Sequence, residues 1–313
     1  MYNILNIISF IIILYWIYSN YYYILEYFIN KSFYYSNIKL DRSNNKNLLL
    51  LSNSSIDILG NRNHLEHASS LIKTFIENNK IKEILFITYA YPNIRDNKNT
   101  KNADIFYINN VKPFFNKFGV NSKLLNTNSS PSNQQNEIRN AKAIYMSGGN
   151  TFMLTYNLHK NGVIPILREK ILNGLPYIGV SAGTNIISPT MQTSNDMPVV
   201  CLTSCETLNI IPFQINVHYN TFKEGKGFTG ETRDKRIQEY LEYNTKQHKN
   251  ENLQNYVLGL KEGTGIHISG NKIELVGFKT RPASLFTINN NEIIEKNISI
   301  GDRIDYLLNN NIE

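Results

Sequence analysis

The chain has 313 residues, 42% of them hydrophobic, enough to bury a complete α/β core. A formal charge of +7 is scattered among Asn-rich stretches, without the clustered Lys/Arg and interleaved aromatics of a nucleic-acid footprint, so nucleic acid is excluded as a partner. Two cysteines, Cys201 and Cys205, are too few for a disulfide framework; a bridge between them is unsupported and a reduced compartment is favoured.

Residues 1–46 differ in composition from the rest. Ile4–Tyr18 is a nearly continuous apolar run, interrupted only by Asn6 and Ser9. It is short for a spanning helix, which needs about 20 residues. Joined to Tyr21–Ile29 it is long enough, at the cost of Ser19, Asn20 and Glu26. No Lys or Arg precedes the run, and no small-residue cleavage site follows it. An uncleaved membrane anchor is the leading expectation, a signal peptide the second, and a greasy extension of biased composition the third. Compartment and membrane association both turn on residues 4–29. Residues 30–45 read as a linker, so the expected division is a hydrophobic segment over 1–46 and a catalytic domain over 47–313.

From Lys46 onward strand and helix patterns alternate. Leu48–Leu51 is a continuous apolar run suited to a buried parallel strand. Ala68, Leu71, Ile72, Phe75 and Ile76 then recur at helical spacing. Ile84–Ile87 is the next strand and Ile105–Phe118 a helical stretch. Leu124–Leu125 is a weak third strand, and Asn128–Gln135 reads as a polar, exposed loop. Ala143–Met146 is a fourth strand. Helical segments at Thr151–His159 and Ile164–Leu172 lead to the strand Tyr177–Val180. Short strands at Tyr256–Leu260, Gly265–Ile268, Ile273–Phe278 and Ser284–Ile288 close the chain. The alternation predicts an α/β fold with a mostly parallel sheet flanked by helices.

The sharpest chemical signal is Gly179-Val180-Ser181-Ala182-Gly183, placed after an apolar strand and before a helix. A nucleophile elbow needs that context: the turn lifts the Ser hydroxyl, and small neighbours relieve crowding. It also aims the Ala182 N–H at a substrate oxygen, beside the positive end of the following helix. Alone, the pattern is equally compatible with a structural turn. Elbow hydrolases order their triad Ser, Asp/Glu, His. After Ser181 come Asp196, before Met197-Pro198, and His218, at the end of the apolar run Ile210–Val217. His64 and His67 flank Glu66, but with no third ligand evident they read as surface histidines, not a metal pair. The turn Ser147-Gly148-Gly149-Asn150-Thr151 lacks the Gly-Lys-Ser/Thr ending of a phosphate loop. Either Asn150 or Thr151 caps a helix there, or the Gly149 N–H is a second oxyanion donor.

Five blocks occur together and in order: Gly148–Phe152, Gly179–Gly183, Thr193–Pro198, Gln214–His218 and Gly230–Arg233. Together they strongly resemble the S51 serine peptidases, the peptidase E family of α-aspartyl dipeptidases. The resemblance runs from about Leu48 to about Ile304, including Leu51–Ser54 and Leu65–Ala68. It implies a fold like the class I glutamine amidotransferases, with Ser at the elbow where those carry Cys. It further implies Ser181 as nucleophile, His218 as base, Asp196 as orienting acid, and Gly149 and Ala182 as oxyanion donors. Arg233 would hold the carboxylate of a substrate's N-terminal Asp, and no metal or organic cofactor is required. Ser147, Thr184 and Val217 depart from the usual glycine, alanine and proline, and an extra residue before Gly230 loosens the Arg233 alignment. Cyanophycinase-like cleavage of β-aspartyl links and a non-catalytic binding relative are the rival readings. Amidotransferase activity would need a cysteine at position 181.

A chain beginning at about residue 46 is expected to be soluble and active, because every matched block lies beyond it. Circular dichroism and peptide hydrolysis of that chain check this; an unfolded product would make residues 1–46 part of the core. Recovery of the full chain in the soluble fraction would rule out the anchor.

Overall fold

The computed structural model describes residues 45–56, 63–91, 103–220, 231–247, 256–289 and 292–308. The apolar run of residues 4–29 lies outside them. Among the described residues no helix is long and apolar enough to cross a membrane.

Strands β1 (Asn47–Leu51), β2 (Glu83–Ile87), β3 (Asn121–Leu124), β4 (Ile144–Met146) and β5 (Tyr177–Val180) pair in parallel in the order β3-β2-β4-β5-β1. Strands β6 (Gln214–Asn216) and β7 (Tyr256–Gly259) pair in parallel in a second sheet. The chain then returns to β1 through the antiparallel β8 (Thr264–Ser269) and β9 (Lys272–Gly277). Strands β10 (Ala283–Asn289) and β11 (Glu292–Ile298) complete the second sheet, in the order β11-β10-β7-β6. The mixed α/β architecture with a large, mostly parallel sheet is thus present. Its antiparallel edge and the separate small sheet go beyond the sequence pattern.

Strand β1 shows why the sheet is buried on both faces. Leu48 and Leu50 join one apolar cluster and Leu49 and Leu51 the other, because successive side chains of a strand point to opposite faces. Helix α1 (Ser69–Asn78) covers the Leu49 side through Leu71, Ile72, Phe75 and Ile76. So does α2, in which Ala103–Phe106 runs through a π-helical turn, Tyr107–Val111, into Lys112–Asn116. Helices α3 (Pro131–Asn140), α4 (Thr151–Lys160) and α5 (Ile164–Leu172) supply Ile138, Leu154, Leu158 and Leu167 to the Leu48 side. The short α6 (Ala182–Asn185) follows β5, and α7 (Arg233–Gln247) lays Ile237 and Leu241 against Val257 and Phe286 of the small sheet.

Three expectations need correction. The polar segment 128–135 is not a loop throughout: Pro131 opens α3, with Ser130 as N-cap accepting from the Asn133 N–H at 3.3 Å. Pro at the first helical position and Ser before it are start signals that outrank polarity. Gln134 is buried there, accepting from the Tyr89 hydroxyl at 2.5 Å. Strand β3 ends at Leu124 rather than beginning there, an edge strand whose Asn121 and Lys123 face solvent.

The third concerns histidine. The His64 ring lies 5.0 Å edge-on to Phe106 and hydrogen-bonds the Tyr145 hydroxyl at 3.0 Å. Burial, then the nearby His67, holds His64 down at about 3. Burial and then Arg281, against Glu262, hold His67 at about 4. His267, on β8, is 4% exposed, and burial holds it at about 4. All three lie below the ordinary 6.5. The unfolded chain therefore binds the extra protons below pH 6.5, and the fold loses stability as pH falls from there toward about 4. The urea midpoint is expected to drop across that window, with a shallower slope in His64→Phe. An unchanged slope would mean that His64 is charged in the folded protein.

Candidate active site

Ser181 stands where β5 turns into α6, at the carboxyl ends of the central parallel strands. That end is where open α/β sheets place their ligands. Its backbone has φ 51° and ψ −113°, a conformation that L-residues rarely adopt. Four hydrogen bonds hold the turn there. The Ser181 N–H donates to the Leu51 carbonyl at 3.0 Å, and the Thr184 hydroxyl donates to the same oxygen at 2.7 Å. The Ser181 carbonyl accepts from the Thr184 and Asn185 amides at 2.8 and 3.0 Å. Both glycines of the motif are required by close approach. A Cβ on Gly183 would sit 2.3 Å from the Met146 carbonyl oxygen, and one on Gly179 would sit 2.6 Å from the Gly183 oxygen.

The Ser181 Oγ lies 2.8 Å from His218 Nε2. His218 follows β6 and has φ 53°. Its N–H donates to Ser52 Oγ at 2.9 Å, and the Ser52 hydroxyl donates to the Leu260 carbonyl at 2.9 Å. The other ring nitrogen, Nδ1, is 3.2 Å from Glu262 Oε1. Glu262 sits in the turn between β7 and β8, where the Thr264 amide and hydroxyl both donate to the Lys261 carbonyl, at 3.1 and 2.7 Å. Serine, imidazole and carboxylate are therefore in line, and the carboxylate is Glu262.

Asp196, expected on His218, is occupied elsewhere. Its Oδ2 accepts from the Thr151 amide at 2.7 Å, the Thr151 hydroxyl at 2.5 Å and the Ser194 hydroxyl at 3.2 Å. A carboxylate at the first turn of α4 meets free amides and the positive end of the helix dipole, which is the physical reason for the exchange. Chain order and the family resemblance both point to Asp196; the carboxylate found beside the imidazole lies after His218, in the Lys261-Glu262-Gly263 turn between two short apolar strands. A charged side chain at the end of a buried strand was the available signal.

The turn before α4 is a cap and more. Asn150 accepts from the Met153 amide at 3.0 Å and donates to the Met197 carbonyl at 2.9 Å. Gly149 has φ 131°, and a Cβ there would lie 2.7 Å from the Ala90 carbonyl oxygen. Gly148 is against Ser181, whose Cβ would be 3.1 Å from an added one. No acceptor among the described residues takes the Gly149 or Ala182 amide.

Arg233 opens α7 half-buried, and its Nη1 donates to the Val217 carbonyl at 3.3 Å. Burial and then Arg236 lower its pKa, while Asp196 and Glu262 push it back up. The guanidinium thus shares one electrostatic neighbourhood with both carboxylates. Among the described residues no group of three or more His, Cys, Asp or Glu side chains could hold a metal ion. Cys201 and Cys205 are free and exposed.

Comparison with known proteins places the chain in a family. The family model of peptidase family S51 matches residues 48–276. A probable alpha-aspartyl dipeptidase of Drosophila melanogaster is 37% identical over 242 residues, covering 77% of this chain and 90% of its own length. A peptidase E of Nostoc sp. is 37% identical over 235 residues, covering 75% and 87%. Among solved structures, a putative peptidase E of Listeria monocytogenes aligns with TM-score 0.50 and 25% identity, covering 81% of this chain and 99% of that one. The chain belongs to peptidase family S51 and is a serine peptidase.

Proposed function

We propose that the chain is a dipeptidase that hydrolyses peptides with an N-terminal aspartate through a nucleophile elbow at Ser181. The observation that carries this reading is the 2.8 Å approach of Ser181 Oγ to His218 Nε2, with Glu262 on the far nitrogen. Ser181 Oγ attacks the scissile carbonyl carbon while its proton passes to His218 Nε2. The Gly149 and Ala182 amides, which have no acceptor among the described residues, receive the oxyanion. His218 returns the proton to the leaving amine as the C–N bond breaks, and an acyl-enzyme remains. Water then attacks the acyl carbon, giving one proton to His218, which passes it to Ser181 Oγ as the acyl C–O bond breaks. Glu262 holds the imidazole with Nε2 toward Ser181 and offsets the charge it gains.

Aspartate specificity is drawn from two facts. Curated relatives carry the names peptidase E and probable alpha-aspartyl dipeptidase, and Arg233 places a cation beside His218. A buried substrate carboxylate needs such a partner, because its desolvation is otherwise uncompensated. Asp196 fastens the 193–198 loop to α4 and adds its charge to the surroundings of Arg233.

Ser181→Ala and His218→Ala are expected to abolish turnover with the fold intact by circular dichroism. Glu262→Gln is expected to lower kcat by about 10- to 1000-fold, less than a fully buried triad acid costs, because its side chain is 53% exposed. Asp196→Asn should act more on KM. If Asp196→Asn lowers kcat more than Glu262→Gln does, the orienting role returns to Asp196.

Arg233→Met is expected to cost about 2–5 kcal/mol of transition-state binding for Asp-X dipeptides and much less for Asn-X. Lys at 233 should recover only part, lacking the bidentate fork. The check is kcat/KM on Asp-X, β-Asp-X and Asn-X dipeptides. Equal losses on Asp-X and Asn-X would remove Arg233 from recognition, and faster cleavage of β-Asp-X would favour the cyanophycinase-like reading.

A further inference from the structure

We infer that Ser52 and Asn53, the two residues after β1, form a clamp that positions the base and its carboxylate together. Neither needs to touch the reacting atoms. The inference rests on the Ser181–His218–Glu262 reading and adds positioning residues to it. Ser52 is fully buried, and Asn53 is 3% exposed. Ser52 Oγ accepts the His218 N–H at 2.9 Å while its proton goes to the Leu260 carbonyl at 2.9 Å. Asn53 Oδ1 accepts the Gly263 N–H at 2.8 Å, and its Nδ2 donates to the Ser55 carbonyl at 2.7 Å. One side chain thus fixes the backbone of His218 and the next fixes the backbone beside Glu262.

Both targets need holding. His218 sits at φ 53°, a conformation of sparse population for a residue with a side chain. Gly263 has φ 78°, and a Cβ there would lie 2.3 Å from the Phe278 ring, so the turn that carries Glu262 is tightly confined. The Glu262 side chain itself is 53% exposed and cannot be oriented by packing alone. Its backbone is held through the Asn53 contact on the neighbouring Gly263 amide on one side and the Arg281 Nη1 donation to the Glu262 carbonyl, 2.8 Å, on the other. Leu51, the residue before the clamp, accepts from the Ser181 amide. Three consecutive positions at the end of one central strand therefore address nucleophile, base and carboxylate in turn. A displacement of about 1 Å among such groups can cost about 100-fold in rate.

A double-mutant cycle tests this. Asn53→Leu keeps the volume and removes both hydrogen bonds; it is expected to lower kcat by about 10- to 100-fold with KM within about twofold. If Asn53 acts through Glu262, adding Asn53→Leu to Glu262→Gln should lower kcat by no more than about threefold further. Multiplicative losses, or a rise in KM equal to the fall in kcat, would overturn the clamp and leave Asn53 a residue of general stability. Ser52→Ala is read in the same way against Glu262→Gln, and Asn53→Ala replaces the leucine variant if that one does not fold. A fluorophosphonate probe gives a second rate that is independent of peptide specificity, since it modifies an activated Ser181 directly. A parent protein that is phosphonylated but cleaves no Asp-X peptide sinks the substrate assignment, and the cycle is then read on the phosphonylation rate. A parent inert in both assays sinks the hydrolase reading and the clamp with it.

Discussion

The Leu51 carbonyl is the contact on which the site depends. It ends the central strand β1 and takes two donors, the Ser181 amide and the Thr184 hydroxyl. A serine at φ 51° and ψ −113° is backbone strain of order 1–3 kcal/mol that persists only when the surroundings over-determine it. The surroundings here are two parallel strands whose ends cannot separate. Gly179 and Gly183 let the turn close against Met146, and Tyr177 donates its hydroxyl to the Gly183 carbonyl at 2.6 Å. The Ser181 hydroxyl is thus carried at the ends of two paired strands of the large sheet.

From that fixed point the site is assembled out of both sheets. Ser181 belongs to the large sheet, His218 follows a strand of the small one, and Glu262 lies in the turn that crosses from the small sheet back to the large. Ser52 is the shared fastener, reaching the His218 amide and the Leu260 carbonyl together. On the other flank, Asp196 secures the 193–198 loop to the start of α4, where three donors meet one carboxylate oxygen. That oxygen is thereby committed to the start of α4, whereas the carboxylate beside the His218 ring is Glu262.

What the sequence disclosed followed its local signals. Four apolar leucines announce a strand buried on both faces, and Gly-x-Ser-x-Gly after a strand announces the serine, because both patterns report sterics within a few residues. His218 was legible from its place at the end of an apolar run. Glu262 was not, since its pairing with His218 is a contact between distant segments to which no local pattern corresponds. Helix α3 was hidden by six polar residues in a row, although Ser130-Pro131 marked its start. Strand β11 was missed because an edge strand with Glu292, Glu295 and Lys296 facing outward has no apolar period to read. The histidines at 64 and 67 read as superficial because their burial is supplied by Phe106 and Phe278, which come from other elements.

The position of Glu262 has a consequence for the life of the chain during synthesis. Strand β1 emerges from the ribosome early, yet its free edge is completed only by β8, and the turn before β8 delivers the carboxylate. Ser181 and His218 are both made well before Glu262 and Gly263. Until they are made, His218 Nδ1 has no Glu262 carboxylate beside it and Asn53 Oδ1 has no Gly263 amide to accept from. Completion of the large sheet by β8 and arrival of the carboxylate beside His218 therefore come from one short stretch of chain.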